Sequence, residues 1–304
     1  MYDSIISCRG VSRNYGDIRA LGEIDLDVGQ GEIFGLIGPD GSGKTSLFRL
    51  IATLMIPDSG SIYVMGYDTV RDFRMIRKKL GYMPGRFSLY PDLTVEENLG
   101  FYASVYKSSL KDNYHLIEDV YSHIEPFRKR RAGKLSGGMK QKLALSCALI
   151  HSPQILILDE PTTGVDAVSR REFWELLKTL REKGMTILVS TPYMDEAKRC
   201  DRIALFQEGK LMKLATPRSL LLDMPVDLFY ANCSDRYGML MAIRESGMAD
   251  QAYLSGQNVH FTLKGSNIDI LRDYLESRDF EDLELGFADA DIEDCFIHLM
   301  NTDG

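Results

Sequence analysis

The stretch best suited to chemistry on a phosphate is Gly38-Pro39-Asp40-Gly41-Ser42-Gly43-Lys44-Thr45. Its glycines let the backbone curl so that several N–H groups face one anion. A helix starting there adds its positive end. Lys44 reaches outer phosphates as a point charge, Thr45 sets its hydroxyl on Mg²⁺, and Ser46 completes the turn. A second candidate is the acidic pair Asp159-Glu160, which ends the aliphatic run Ile155-Leu156-Ile157-Leu158. Asp159 suits Mg²⁺ held through water. Glu160 suits orienting or deprotonating an attacking water.

Both groups need a scaffold. Ile33–Ile37 reads as a buried strand before the glycines, and Ser46–Ala52 as the first turns of a helix after them. Strand, Gly-rich turn and helix are the context a phosphate-binding P-loop requires. Asp159 and Glu160 would stand at the C-terminal end of a buried strand, where an open α/β sheet places its ligand. Thr186–Ser190 reads as another buried strand, and Val168–Lys183 as a helix between the two. Ile5–Val11 and Ile24–Val28 read as strands, with Asn14-Tyr15-Gly16 as a loop between them. In that loop Tyr15 is either a half-exposed core residue or an aromatic face for a nucleotide base.

Thr94 and Glu97 fit a capping box, and helical pattern then dominates, giving a largely helical insertion at about 88–150. Inside it, Ser136-Gly137-Gly138 opens an apolar-periodic helix. Such a turn is a second anion-holding helix N-terminus or an ordinary N-cap. A boundary is expected near Asp223-Met224-Pro225, dividing the chain into 1–223 and 224–304. The second part reads as βαββαβ, a small ferredoxin-like α+β domain without a catalytic cluster, followed by a last helix from Ile292.

Composition narrows the function. Net charge is −8, so bulk attraction to nucleic acid is not expected, and the basic run Arg128–Arg131 is too short to reverse it. No apolar run approaches the ~18–20 residues that span a bilayer. The N-terminal residues lack a secretory pattern. The five cysteines are scattered and form no CxxC, which suggests reduced thiols rather than zinc or disulfides.

Taken together, Gly38–Thr45, Leu135-Ser136-Gly137-Gly138, Ile155–Glu160 and Gly164-Val165-Asp166 resemble the motifs of the ATP-binding cassette ATPases. In order they match the Walker A motif, the family signature, the Walker B motif with its following Glu, and the dimer-facing D-loop. Tyr15 matches the adenine-stacking aromatic. The similarity covers about residues 4–220, and the C-terminal part resembles the branch that drives multidrug-type and polymer exporters. The resemblance implies a P-loop cassette with a mixed sheet core and a helical subdomain. It implies ATP and Mg²⁺ as ligands, Glu160 as catalytic residue, and a head-to-tail dimer. ATP would sit between one chain's Walker motifs and the other chain's Ser136, Gly137 and Gly138. Further implied are separate transmembrane permease subunits and a peripheral place on the cytoplasmic face of the cell membrane.

Two positions depart from that pattern. The family carries a Gln contacting Mg²⁺ and water where this chain has Gly85, and a γ-phosphate His where it has Pro192. All five histidines lie elsewhere. Gly85 offers no side chain, and Pro192 offers neither a side-chain donor nor a backbone N–H. The site is therefore expected to bind ATP and to hydrolyse it slowly, unless Arg86 or Thr191 substitutes. A non-hydrolysing regulatory cassette is the competing reading: Glu160 argues against it, Gly85 and Pro192 for it. A soluble cassette acting on ribosomes or DNA is disfavoured by the single cassette and the negative charge.

Overall fold

The computed structural model describes residues 4–107, 109–265, 267–278 and 280–302, and the chain divides into two compact units after Pro217. The first unit contains β1 (Ser4–Tyr15), β2 (Ile18–Gly29), β3 (Ile33–Ile37), α1 (Lys44–Ile51), β4 (Ser59–Val64) and β5 (Tyr67–Asp68). It continues through α2 (Phe73–Arg77), β6 (Leu80–Met83), α3 (Val95–Val105), α4 (Leu110–Tyr121) and α5 (Gly137–Leu149). Then come β7 (Ile155–Asp159), α6 (Ala167–Glu182), β8 (Thr186–Thr191), β9 (Arg202–Gln207) and β10 (Lys210–Ala215).

Two sheets position the site. One is antiparallel, in the order β2-β1-β4-β5. The other runs β10-β9-β3-β8-β7-β6, parallel except for its β10 edge. Strands β3, β7 and β8 are buried along their whole length, which explains their continuous aliphatic sequences. Helix α1 contributes Leu47, Phe48, Leu50 and Ile51 to one core shared with Ile6, Leu26 and Ile62 of the first sheet and Phe34, Ile157 and Leu188 of the second. It is thereby held between the sheets with its N-terminus at the end of β3. The register sets Asp159 opposite Ser190, and Ile37 opposite Thr191, so the strand ends converge on one edge.

The insertion reads as expected at its start. Thr94 Oγ1 accepts from Glu97 N at 3.2 Å, and Glu97 Oε2 accepts from Thr94 N at 2.7 Å. The first hairpin differs from the sequence reading. Asn14 and Tyr15 are strand residues, paired with Arg19 and Ile18 across a turn at Gly16-Asp17. Polar, exposed ends of a hairpin carry no apolar alternation, so periodicity stops short of the true strand end.

The boundary also moves. Residues Pro217–Leu222 form α7, which from Arg218 onward belongs with the second unit. The reason is packing: Leu220 is buried, and its carbonyl accepts from the Cys295 thiol at 3.6 Å. The unit continues with β11 (Phe229–Asn232), α8 (Arg236–Glu245), β12 (Ala249–Ser255), β13 (Asn258–Leu263), α9 (Ile268–Glu276), β14 (Glu284–Phe287) and α10 (Ile292–Thr302). Its antiparallel sheet runs β12-β13-β11-β14. Asp294 of α10 is fully buried and accepts from Tyr253 OH and pairs with His260 Nδ1, both at 2.8 Å. Burial opposes its charge, but the bonds from His260, the Asp291 amide and Tyr253 outweigh that and hold its carboxyl below the usual range. All five cysteines are buried and unpaired; burial pushes the Cys8 thiol up to about 12.

Candidate functional site

The turn between β3 and α1 has a geometry that would suit an anion. A Cβ on Gly38 would lie 2.2 Å from the Phe206 carbonyl, so only glycine fits where the loop leaves the sheet. Gly43 has φ 104°, and a Cβ there would meet the Ala20 carbonyl at 2.6 Å. No side chain caps α1 at Gly43, so the first-turn N–H groups stay open toward the loop. Ser42 Oγ is buried without a hydrogen-bond partner among the described residues, as a phosphate-facing donor would be.

Lys44 Nζ donates to the carbonyls of Gly38 and Pro39, each at 2.8 Å, and lies 3.8 Å from Glu160 Oε1. An ammonium has three donors, so one remains for a phosphate oxygen. Burial lowers the Lys44 pKa, with Glu160, Asp40 and Asp159 opposing the shift. Thr45 Oγ1 donates to Asp159 Oδ1 at 3.0 Å, and Ser190 Oγ donates to the same oxygen at 2.7 Å. This hydroxyl–carboxylate pair would hold a hard cation such as Mg²⁺, with phosphate oxygens and water completing its shell. Beside it, burial and then Asp159 push the Tyr82 hydroxyl up to about 12, so it stays protonated.

Glu160 is held in an unusual backbone geometry, with φ 49°. Its amide donates to Ser190 Oγ at 2.9 Å and to the Ser190 carbonyl at 3.1 Å. Those bonds turn the carboxylate back toward Lys44. Burial raises the Glu160 pKa above its ordinary value, and Lys44 opposes the rise.

Tyr15, Gly41, Ser42, Gly43, Lys44, Thr45, Ser46 and Glu160 line one cavity of about 450 Å³. Tyr15 OH lies 3.3 Å from Ser46 Oγ, and the Arg13 guanidinium lies over the Tyr15 ring at 5.5 Å. Pro39 and Asp40 are exposed at the turn, and Asp159 lies beneath it. Sequence reasoning missed Ile18, Arg19, Ala20 and Glu208 on the cavity wall, and missed Ser190. A polar residue ending a buried parallel strand was the available signal for Ser190. A larger cleft of about 620 Å³ in the second unit is lined by Arg244, Asp250 and Lys264 among others.

Residues 21–163 match the ABC transporter family. Over 313 residues, all of this chain, it is 37% identical to the "Probable multidrug ABC transporter ATP-binding protein YbhF" of Escherichia coli, of which the match covers 53%. The chain thus spans about half the length of that relative. It is 38% identical to the Nod factor export ATP-binding protein I of Rhizobium etli, covering 73% of this chain and 71% of that protein. A dimeric, post-hydrolysis structure of the ATP-binding cassette MJ0796 bound to ADP and Pi superposes with a TM-score of 0.63. That match has 27% identity and covers 69% of this chain and 98% of the other.

The chain belongs to the ABC transporter family.

In this cassette the structure does not bring Ser136, Gly137 and Gly138 to the cavity of their own chain. Ser136 caps α5, accepting from Met139 N at 3.4 Å, and is exposed with Gly137. Gly138 is buried instead: a Cβ there would meet Ser169 Cβ at 2.6 Å, so glycine lets α5 approach α6. Gly85 is exposed, and a Cβ there would stand 3.0 Å from the Asp159 carbonyl. Thr191 is fully buried, and its hydroxyl donates to Glu196 at 2.6 Å. It is therefore committed elsewhere and does not replace the histidine absent at Pro192. Arg86 is exposed beside Gly85 and is not part of the cavity wall.

Proposed function

We propose that this chain is the ATP-hydrolysing subunit of an ABC exporter. It binds ATP with Mg²⁺, pairs head to tail with a second cassette, and drives separate transmembrane subunits from the cytoplasmic face of the membrane. The observation that carries this reading is the meeting of Lys44 and Thr45 at the start of α1 with Asp159 and Glu160 at the end of β7, around one phosphate-sized turn. The names of the multidrug and Nod factor relatives support export as the work done. The exposed Ser136-Gly137 turn, away from its own cavity, supports completion of a second chain's site. Among the described residues no helix is long and apolar enough to cross a membrane. Tagged and extracted with detergent from membranes, the chain is expected to co-elute with integral-membrane chains. Recovery entirely free of membrane proteins would overturn the transport reading.

Gly85 and Pro192 favour a weak site within such an assembly. Binding groups and activating groups are separable: Lys44 and the loop amides hold phosphate in the ground state, while the absent Gln and His would act as hydrolysis begins. The purified chain is then expected to bind ATP-Mg²⁺ and turn over slowly until a competent partner cassette is added. Gly85→Gln with Pro192→His should raise kcat by at least ~10-fold while leaving ATP affinity intact. The glutamine's Cβ would sit at 3.0 Å from the Asp159 carbonyl, so the exposed loop must give slightly. Brisk turnover by the wild-type chain alone, unchanged in the double variant, would restore an ordinary homodimeric motor.

A further inference from the structure

Glu196 lies outside every motif, yet it is only 1% exposed. It sits in a short 3₁₀ segment, Met194–Arg199, just after β8. A buried carboxylate is costly unless donors and a cation surround it, so its partners are informative. Its Oε2 accepts from Thr191 Oγ1 at 2.6 Å and from Thr162 Oγ1 at 3.0 Å. Its Oε1 has no hydrogen-bond partner among the described residues and faces Arg170 Nε at 3.9 Å. That nitrogen is also buried and unbonded, and the Arg170 guanidinium lies 4.4 Å from the centre of the Tyr193 ring.

These bonds join two segments with different tasks. Thr162 belongs to the loop between β7 and α6, which carries Glu160 at its start and Gly164-Val165-Asp166 further on. Thr191 ends β8, and its carbonyl accepts from the amide of Gly38 at 3.4 Å, the first residue of the phosphate loop. A continuous chain of contacts therefore runs from Thr162 through Glu196 and Thr191 to Gly38. Contiguous networks of this kind carry coupling when one member has two arrangements. Arg170 Nε and Glu196 Oε1, both unbonded and 3.9 Å apart, are placed to be that member. Two buried polar atoms beyond hydrogen-bonding distance leave a cost that a small shift of α6 removes. Helix α6 begins directly after Asp166, its N-cap, and the Arg170 amide donates to the Asp166 carbonyl at 2.9 Å, so the turn and Arg170 are directly bonded.

We propose that Glu196 is a positioning residue that ties the Gly164–Asp166 turn to the phosphate loop. Engagement of a second cassette at that turn then sets the hydrolytic geometry around this chain's own nucleotide. The proposal rests on the ATPase reading above and adds how contact with a partner reaches the site.

The test uses Thr162→Val and Thr191→Val, which keep shape and remove one hydroxyl each, alone and together, in the full chain with its partner cassette. Each single variant should lower kcat about tenfold with KM and nucleotide affinity unchanged. The double variant should be no slower than either single one, because both break the same link. Thr162→Ser and Thr191→Ser retain the hydroxyl and should recover the lost kcat. Trp174, the sole tryptophan, gives a readout that does not need turnover. It is buried on α6 one turn beyond Arg170. ATP-Mg²⁺ should change its emission in the wild type, and the double valine variant should bind ATP without that change. Additive losses, a rise in KM parallel to the fall in kcat, or an unaltered Trp174 response in the double variant would overturn the coupling alone. A wild type that binds no ATP would overturn the ATPase reading and the coupling with it.

Discussion

Lys44→Ala is expected to weaken ATP binding by at least about 100-fold, equivalent to about 3 kcal/mol. The ammonium is 3% exposed and stands among the carbonyls of Gly38 and Pro39 and the carboxylate of Glu160. A charge-assisted bond to phosphate in such a setting is stronger than its counterpart in water. Alanine removes it and leaves Glu160 without its nearby cation, so the loop would present a net repulsion to the outer phosphates. Titration with a fluorescent nucleotide measures the loss, and an unchanged melting temperature without nucleotide shows that the fold survives. Equal affinity in wild type and variant would refute the assignment of the phosphate loop.

Glu160→Gln should lower kcat by about 10²–10⁴-fold while ATP affinity is kept. The amide preserves size and the bond from Thr163 Oγ1 at 3.5 Å, but it cannot take a proton from water. The pH profile separates this role from a packing role. Burial raises the Glu160 pKa above its ordinary value of 4.5, against the pull of Lys44. A base works only when ionised, so kcat should fall as pH falls through that raised value and level off above it. The residual activity of Glu160→Gln should lack this acid limb. A full acid limb in the variant, or an unaltered kcat, would assign the base to another group.

Much of the site was legible because its logic is local. A Gly-rich turn between an apolar strand and a helix announces the phosphate loop within about a dozen residues, and the structure has β3, the turn and α1 there. Likewise Asp159 and Glu160 could be read from an aliphatic run ending in acids, and the Thr94–Glu97 cap from a spacing of three. Local signals failed where polar ends lacked periodicity, as at Asn14 and Tyr15, and where a buried leucine joined α7 to the second unit.

What only tertiary structure decided is who meets whom. Thr45 and Asp159 share a bond across 114 residues, and Ser190 joins Asp159 across 31. No period or turn in the sequence encodes that pairing. It follows from the parallel strand order β3-β8-β7, in which each strand's neighbours are set by how crossover helices cover the sheet. The same order places Thr191 against Gly38, buries Glu196 between Thr162 and Thr191, and sets Gly85 close over the Asp159 carbonyl. The sequence by itself determined which residues have the types and spacing suited to phosphate and metal. The packing of the sheet determined which hydroxyls and carbonyls support them, because non-local contacts depend on the whole set of buried faces rather than on any one segment.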